Sequence, residues 1–175
     1  MSAAEASPTD MREARDVVAD AAGVVPGSAL HRVLAGRADV MAMTQATHDA
    51  ALTPADPGGL SHAERAALAT RVARLSGDEV LAAHYAELMG DAPSPSLAAI
   101  ADPAKDAADD ARLAALVAYT DLVTTRPRDA EAADIESLKH AGIADADIVR
   151  LAELVAFLAY QVRVVHGLRL MGAAP

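Results

Sequence analysis

The residues best suited to chemistry in this chain are its histidines, of which there are six, alongside no cysteine. His31, His48, His62, His84, His140 and His166 are scattered. No two stand at the i, i+4 spacing that builds a metal site on one helix, and there is no thiol to complete one. The expectation is therefore no bound metal and no cofactor. His84 stands apart from the rest. Val80, Leu81, Ala83, His84 and Leu88 fall on one side of a 3.6-residue helix, so its imidazole should point where the apolar residues point. Imidazole titrates near neutrality, which suits a general acid or base. It also suits a structural histidine, bonded to Glu64, Glu87, Tyr160 or a backbone carbonyl. Arg163 lies amid Val162, Val164 and Val165, and an arginine on such a face needs an acidic partner or an anion.

The elements that must position these groups start from residues 60–90, LSHAERAALATRVARLSGDEVLAAHYAELMG. Ser61 with Glu64, and Ser76 with Glu79, both read as capping boxes that open helices. The caps already account for both glutamates. Ala66, Leu68, Ala69, Val72, Ala73 and Leu75 mark the first helix, and Ser76-Gly77 leaves room only for a tight turn before the second. Before this pair, helices are expected over residues 11–22, stopped by Gly23 and Pro26, from Ser28 to Gly36, and over residues 39–52. The last should turn Val40, Met43, Ala46, Ala50 and Ala51 inward. After it come one helical turn before Asp102-Pro103, then helices over residues 106–125 and 130–140, the latter closed by Gly142 at its C′ position. Asp145 should cap the last and longest helix, over residues 146–170. Residues 1–9 read as a loose end and residues 10–172 as one domain. With alanine the dominant residue and only three tyrosines, one phenylalanine and no tryptophan, the fold class is all-α, a bundle of seven to eight helices.

Two stretches resemble the carboxymuconolactone decarboxylase / AhpD-like superfamily, a set of alkylhydroperoxidase-related helical proteins. One is RVARLSG (residues 71–77) followed by a short helix with His84. The other is LKHAGIADADIV (residues 138–149) followed by AFLAYQVR (residues 156–163) and Gly167-Leu168. Together they span residues 39 to 170, and the N-terminal part resembles a cysteine-free subgroup of these proteins. The family pattern carries Gly-Cys-x-x-Cys-x-x-x-His at the second helix. Aligned on His84, Gly77 and Val80 replace the thiols. Aligned without a gap, Asp78 and Leu81 replace them, with Tyr85 at the histidine position and Ala66 at the glutamate position. In either register the redox pair is missing, and thiol peroxidase chemistry, which needs sulfur, is excluded.

The resemblance implies an AhpD-like bundle forming dimers, trimers or hexamers, and it leaves two functions open. One is an oligomeric relative of unassigned or lost activity, working as a scaffold or as partner to a thiol-bearing paralogue. The other is a cysteine-independent acid/base enzyme, decarboxylase- or isomerase-like, acting on a small carboxylate or lactone. There His84 and Glu64 would be catalytic, while Arg163, Tyr160 and Tyr85 would hold substrate. A net charge of -10 argues against nucleic acid or an anionic membrane surface as partner. No run of roughly 18 apolar residues would span a bilayer, and the N-terminus lacks a basic-then-apolar leader. A cytoplasmic location is expected, which the lack of cysteine fits.

Overall fold

Helix starts are where local sequence and structure agree best. The computed structural model describes residues 16–105 and 110–174 of the chain. Among them are nine α-helices, eight of seven residues or more, and no strand, so the protein is all-α. In order they are α1 (Val17–Ala22), α2 (Ala29–Ala35), α3 (Ala38–Leu52), α4 (His62–Leu75), α5 (Glu79–Glu87), α6 (Pro95–Ala101), α7 (Ala111–Thr125), α8 (Ala132–His140) and α9 (Asp145–Ala173). A single 3-10 turn, Pro127–Asp129, links α7 to α8. The expected loose segment 1–9 lies outside the described residues; the helices expected over 11–22 and 106–125 are corrected, since Asp16 and Asp110 are extended N-caps and α1 and α7 begin at Val17 and Ala111. No described helix is long and apolar enough to cross a membrane.

Of the four caps the sequence announces, Ser28 and Ser61 hold, and α7 has a further one at Asp110. Ser28 accepts from His31 N–H at 3.1 Å, and Asp110 from Leu113 N–H at 3.0 Å. Ser61 and Glu64 form the full capping box: the hydroxyl accepts from Glu64 N–H at 3.2 Å, and the carboxylate accepts from Ser61 N–H at 2.8 Å. Ser61→Ala should therefore lower stability by about 1 kcal/mol, and Ser61→Gly by only a few tenths. Urea unfolding checks this; an unmoved midpoint for the alanine variant would show that α4 starts without its cap.

Two expected caps are corrected. Ser76 does not open the next helix. It ends α4, and Asp78 takes the cap of α5, accepting from Leu81 N–H at 3.1 Å. Gly77, at φ +73°, makes the left-handed turn between them. Both Ser76 and Asp78 are good N-cap types two residues apart, and only the buried carboxylate finds partners from other helices. Likewise Asp145 is the first residue of α9 and not its cap; Ala144 occupies that position without a side-chain bond. The exposed Asp145 carboxylate pairs instead with Lys139 at 3.6 Å.

The core is built around α4, buried without a break from Arg65 to Ala73. It packs on α5, α6, α7, α9 and α3. The second pillar is α9, which buries Leu151, Leu154, Leu158, Val162 and Val165 on one side. Buried Arg65 fastens the loop before α4, donating to the carbonyls of Leu60, Ala51 and Pro57 at 3.0 Å each.

Candidate active site

The face that α3 turns inward is polar. Thr44, His48 and Leu52, spaced at i, i+4 and i+8, are buried, while Met43 is 59% exposed and Ala46 and Ala50 are also outside. Of the expected inner residues Val40, Met43, Ala46, Ala50 and Ala51, only Val40 and Ala51 are half-buried, and the other three face out. On an alanine-rich helix each methyl group buries too little area to fix the rotation, and hydrogen-bonded polar groups decide it.

The face of α5 is corrected in the same way. Leu81, Ala82 and Tyr85 are the buried residues; Val80 is 53% exposed, and Ala83 and Leu88 are exposed too. Tyr85 therefore faces inward, and His84 sits half-buried on the flank.

That rotation brings His84 against His48. Their Nε2 atoms are 3.1 Å apart and their ring centroids 5.2 Å apart. The Nδ1 of His48 lies 3.0 Å from Asp49 Oδ1. Gln45 donates to that same carboxylate oxygen at 2.8 Å, while its own Oε1 accepts from Val17 N–H at 2.9 Å. With His48 neutral and its Nδ1 donating to Asp49, its Nε2 accepts and His84 Nε2 donates. His84, His48 and Asp49 thus form a continuous hydrogen-bonded line from a half-buried ring through a buried one to an exposed carboxylate.

Aromatic rings frame the pair. His48 stacks on Tyr85 at 6.2 Å and meets Phe157 edge-on at 6.2 Å; His84 meets Tyr85 edge-on at 5.2 Å. The Tyr85 hydroxyl donates to Gln161 Oε1, and Gln161 Nε2 is buried without a partner among the described residues. Burial, with the negative charge of Asp78 second, pushes the Tyr85 phenol far above its ordinary value, so it stays protonated.

His84 lines a cavity of about 460 Å³ with Val17, Asp20 and Ala21 of α1 and Glu79, Val80 and Glu87 of α5. The expected cleft between α5, α4 and α9 is replaced by one between α1 and α5, because Tyr85 and Leu81 fill the space toward α4 and α9. The other expected site residues are dispersed. Glu64 is spent on its cap and on Arg112, whose Nη1 donates to it at 2.5 Å. Burial opposes its ionisation, but the Arg112 and Ser61 hydrogen bonds outweigh this and hold the carboxyl below its ordinary value. Arg163 is exposed and donates to its own helix's Ala159 carbonyl at 2.8 Å, with no acidic partner among the described residues. Tyr160, 43% exposed, meets Thr44 Oγ1 at 3.0 Å in a separate groove between α3 and α9.

His48 is the residue that sequence reasoning missed. Its available signal was local: Gln45, His48 and Asp49 at i, i+3 and i+4 put an amide, an imidazole and a carboxylate on one patch of α3. Among the described residues, no group of three His, Asp or Glu side chains is arranged to hold a metal ion. No protein-family model, no curated protein and no solved structure matches this chain.

Proposed function

We propose that this protein is a cysteine-free relative of the carboxymuconolactone decarboxylase / AhpD-like proteins whose His84–His48–Asp49 line carries out proton transfer on a small molecule bound between α1 and α5. The reading rests on one observation, the 3.1 Å contact between the two Nε2 atoms in the wall of a cavity. A proton taken up at His84 Nδ1 is matched by transfer of the Nε2 proton to His48. The Asp49 carboxylate then stabilises the imidazolium formed there. The partly apolar lining suits a ligand with little charge. The described lining is apolar at Val17, Ala21, Val80 and Ala83 and acidic at Asp20, Glu79 and Glu87, which favours a neutral ligand over an anion. A neutral carbonyl or lactone is the favoured class, and enolisation, isomerisation or ring opening the favoured reaction type.

A second reading keeps the protein as a non-catalytic scaffold. It is favoured by the side chains of Leu81, Tyr85 and Gln161, which are fully buried and fill the interior beside the pair. The test is a panel of small lactones and enolisable ketones assayed with the wild type, His84→Gln and His48→Gln. Turnover should fall about 10²–10⁴-fold in His84→Gln while the melting temperature moves by only a few degrees. Equal turnover in the variants, or none across the panel in the wild type, would hand the case to the scaffold.

A further inference from the structure

Between α3 and α9 runs a groove of about 730 Å³, apart from the cavity at His84. Its walls are largely apolar, with Val40 and Met43 on α3 and Ala156 and Phe157 on α9. Sites for small molecules have this size and this make-up, an apolar surface carrying a few placed polar groups. Four polar side chains border the groove: Thr44, Thr47, Tyr160 and Glu153. Where their protons go decides what it can hold. The Thr44 hydroxyl donates to the Val40 carbonyl at 2.9 Å, and the Thr47 hydroxyl to the Met43 carbonyl at 2.8 Å. With its one proton spent, Thr44 Oγ1 accepts from the Tyr160 hydroxyl, 3.0 Å away.

The oxygens of Thr47 and Tyr160 are thus left with lone pairs to offer. Glu153 adds an exposed carboxylate at the end where the groove adjoins a smaller hollow lined by Arg65 and Arg150. Both guanidiniums there are engaged elsewhere. Arg65 donates to the carbonyls of Leu60, Ala51 and Pro57, and Arg150 to Asp147 and Asp56. Every polar side chain of the groove therefore presents an acceptor, and one of them is charged. Phe157 stands one helical turn from Glu153, near enough for its ring to share in holding a cation. Seven residues of helix set Tyr160 about 10.5 Å beyond Glu153, with the apolar surface between them. We propose that this groove is a binding site for a protonated primary amine with an apolar body. The ammonium sits at Glu153, and the chain lies over Ala156 and Phe157 toward Tyr160. An anion would meet lone pairs and a carboxylate; a neutral alcohol would gain burial without the charge. The site is independent of the chemistry proposed at His84, whose cavity lies between α1 and α5.

Calorimetric titration of the full chain with hexylamine at neutral pH tests this, with hexanol and hexanoate as probes of matched length. Hexylamine should bind with a dissociation constant below about 1 mM. Hexanol should bind about tenfold more weakly, and hexanoate more weakly still. Glu153→Gln changes an exposed residue with little change of shape. It should weaken hexylamine about tenfold and leave hexanol unmoved. Ala156→Leu fills the groove from an exposed position and should abolish binding of both. That variant also separates the site from the general attraction of cations to a chain of net charge -10. The proposal is overturned if hexylamine fails to bind at about 10 mM, or if hexanol or hexanoate binds as tightly. Hexylamine affinity unchanged in Glu153→Gln or in Ala156→Leu would overturn it equally.

Discussion

Replacing Arg71 with leucine should cost about 3–5 kcal/mol, the scale of stranding one partner of a buried ion pair. Arg71 is 2% exposed, at the centre of α4. Its Nε and Nη2 donate to the two oxygens of Asp121 on α7 at 2.5 and 2.6 Å. Its Nη1 meets the carbonyls of Ile100, Asp102 and Lys105 at 3.2, 2.8 and 3.3 Å. One guanidinium thus ties the end of α6 and the middle of α7 to α4. Leucine fills much of the volume but leaves a carboxylate and three carbonyls without their donor, and orphaned groups cost more than the bond was worth. Arg71→Lys should recover little, because a point charge cannot bridge both carboxylate oxygens and the carbonyls at once. In a domain of this size the leucine variant's melting temperature should fall by roughly 10 °C. A loss under about 1 kcal/mol in calorimetry or urea unfolding would show that α6 and α7 dock without this clamp.

Asp78→Ala should be the other severe change. Asp78 is 1% exposed and joins two helices: it caps α5, and from α9 it receives Arg169 at 2.9 and 3.0 Å and lies 3.1 Å from His166 Nε2. Arg169 in turn donates to the Ala21 carbonyl at 2.9 and 3.2 Å, adding the end of α1. Removing the carboxylate loses the cap and strands the arginine. Since Arg169 is partly exposed, about 3 kcal/mol is the expected cost, the lower end for a broken buried pair. Asp78→Asn keeps a cap-competent oxygen and should cost less.

The pH dependence follows from the same geometry. Burial works against ionisation of Asp78. The Arg169 hydrogen bonds, the Leu81 N–H and the positive charges of Arg169 and His166 outweigh it and hold the carboxyl below its ordinary value of 3.8. A depressed carboxyl contributes stability that is complete above its unfolded value and is lost as pH falls through its folded one. The wild type should therefore lose this contribution only in acid below about pH 3.8. Asp78→Ala should be destabilised at pH 7 and show a shallower further loss below pH 4. Parallel acid-unfolding curves for the two proteins would remove Asp78 from the account.

His48 and His84 are 36 residues apart on separate helices, and nothing in their spacing announces a pair. Each was legible as a helical residue; which way each ring pointed was not. On α3 and α5 the candidate faces differ by an alanine here and a valine there. The choice fell to Thr44, His48 and Tyr85, whose partners on other helices, Tyr160, His84 and Gln161, are in place only after α3, α5 and α9 have packed. Asp78 shows the same limit. As a helix-start carboxylate it was readable, but its burial beneath Arg169 and His166 depends on residues about ninety positions away.

By itself the sequence determined that the fold is all-helical, where α3, α4, α8 and α9 begin to within two residues, that Ser61 and Glu64 close a capping box, and that thiol chemistry is absent. Those properties are local: they depend on propensity, on capping groups within three residues, and on composition. Tertiary structure alone decided the rotation of each alanine-rich helix, the meeting of His48 with His84, the exile of Glu64 and Arg163 from the site, and the clamps made by Arg71 and Asp78. The physical reason is that alanine burial separates two faces of a helix only weakly. A buried charge or imidazole without a partner costs several times more, so polar pairs formed across the fold outweigh the local pattern.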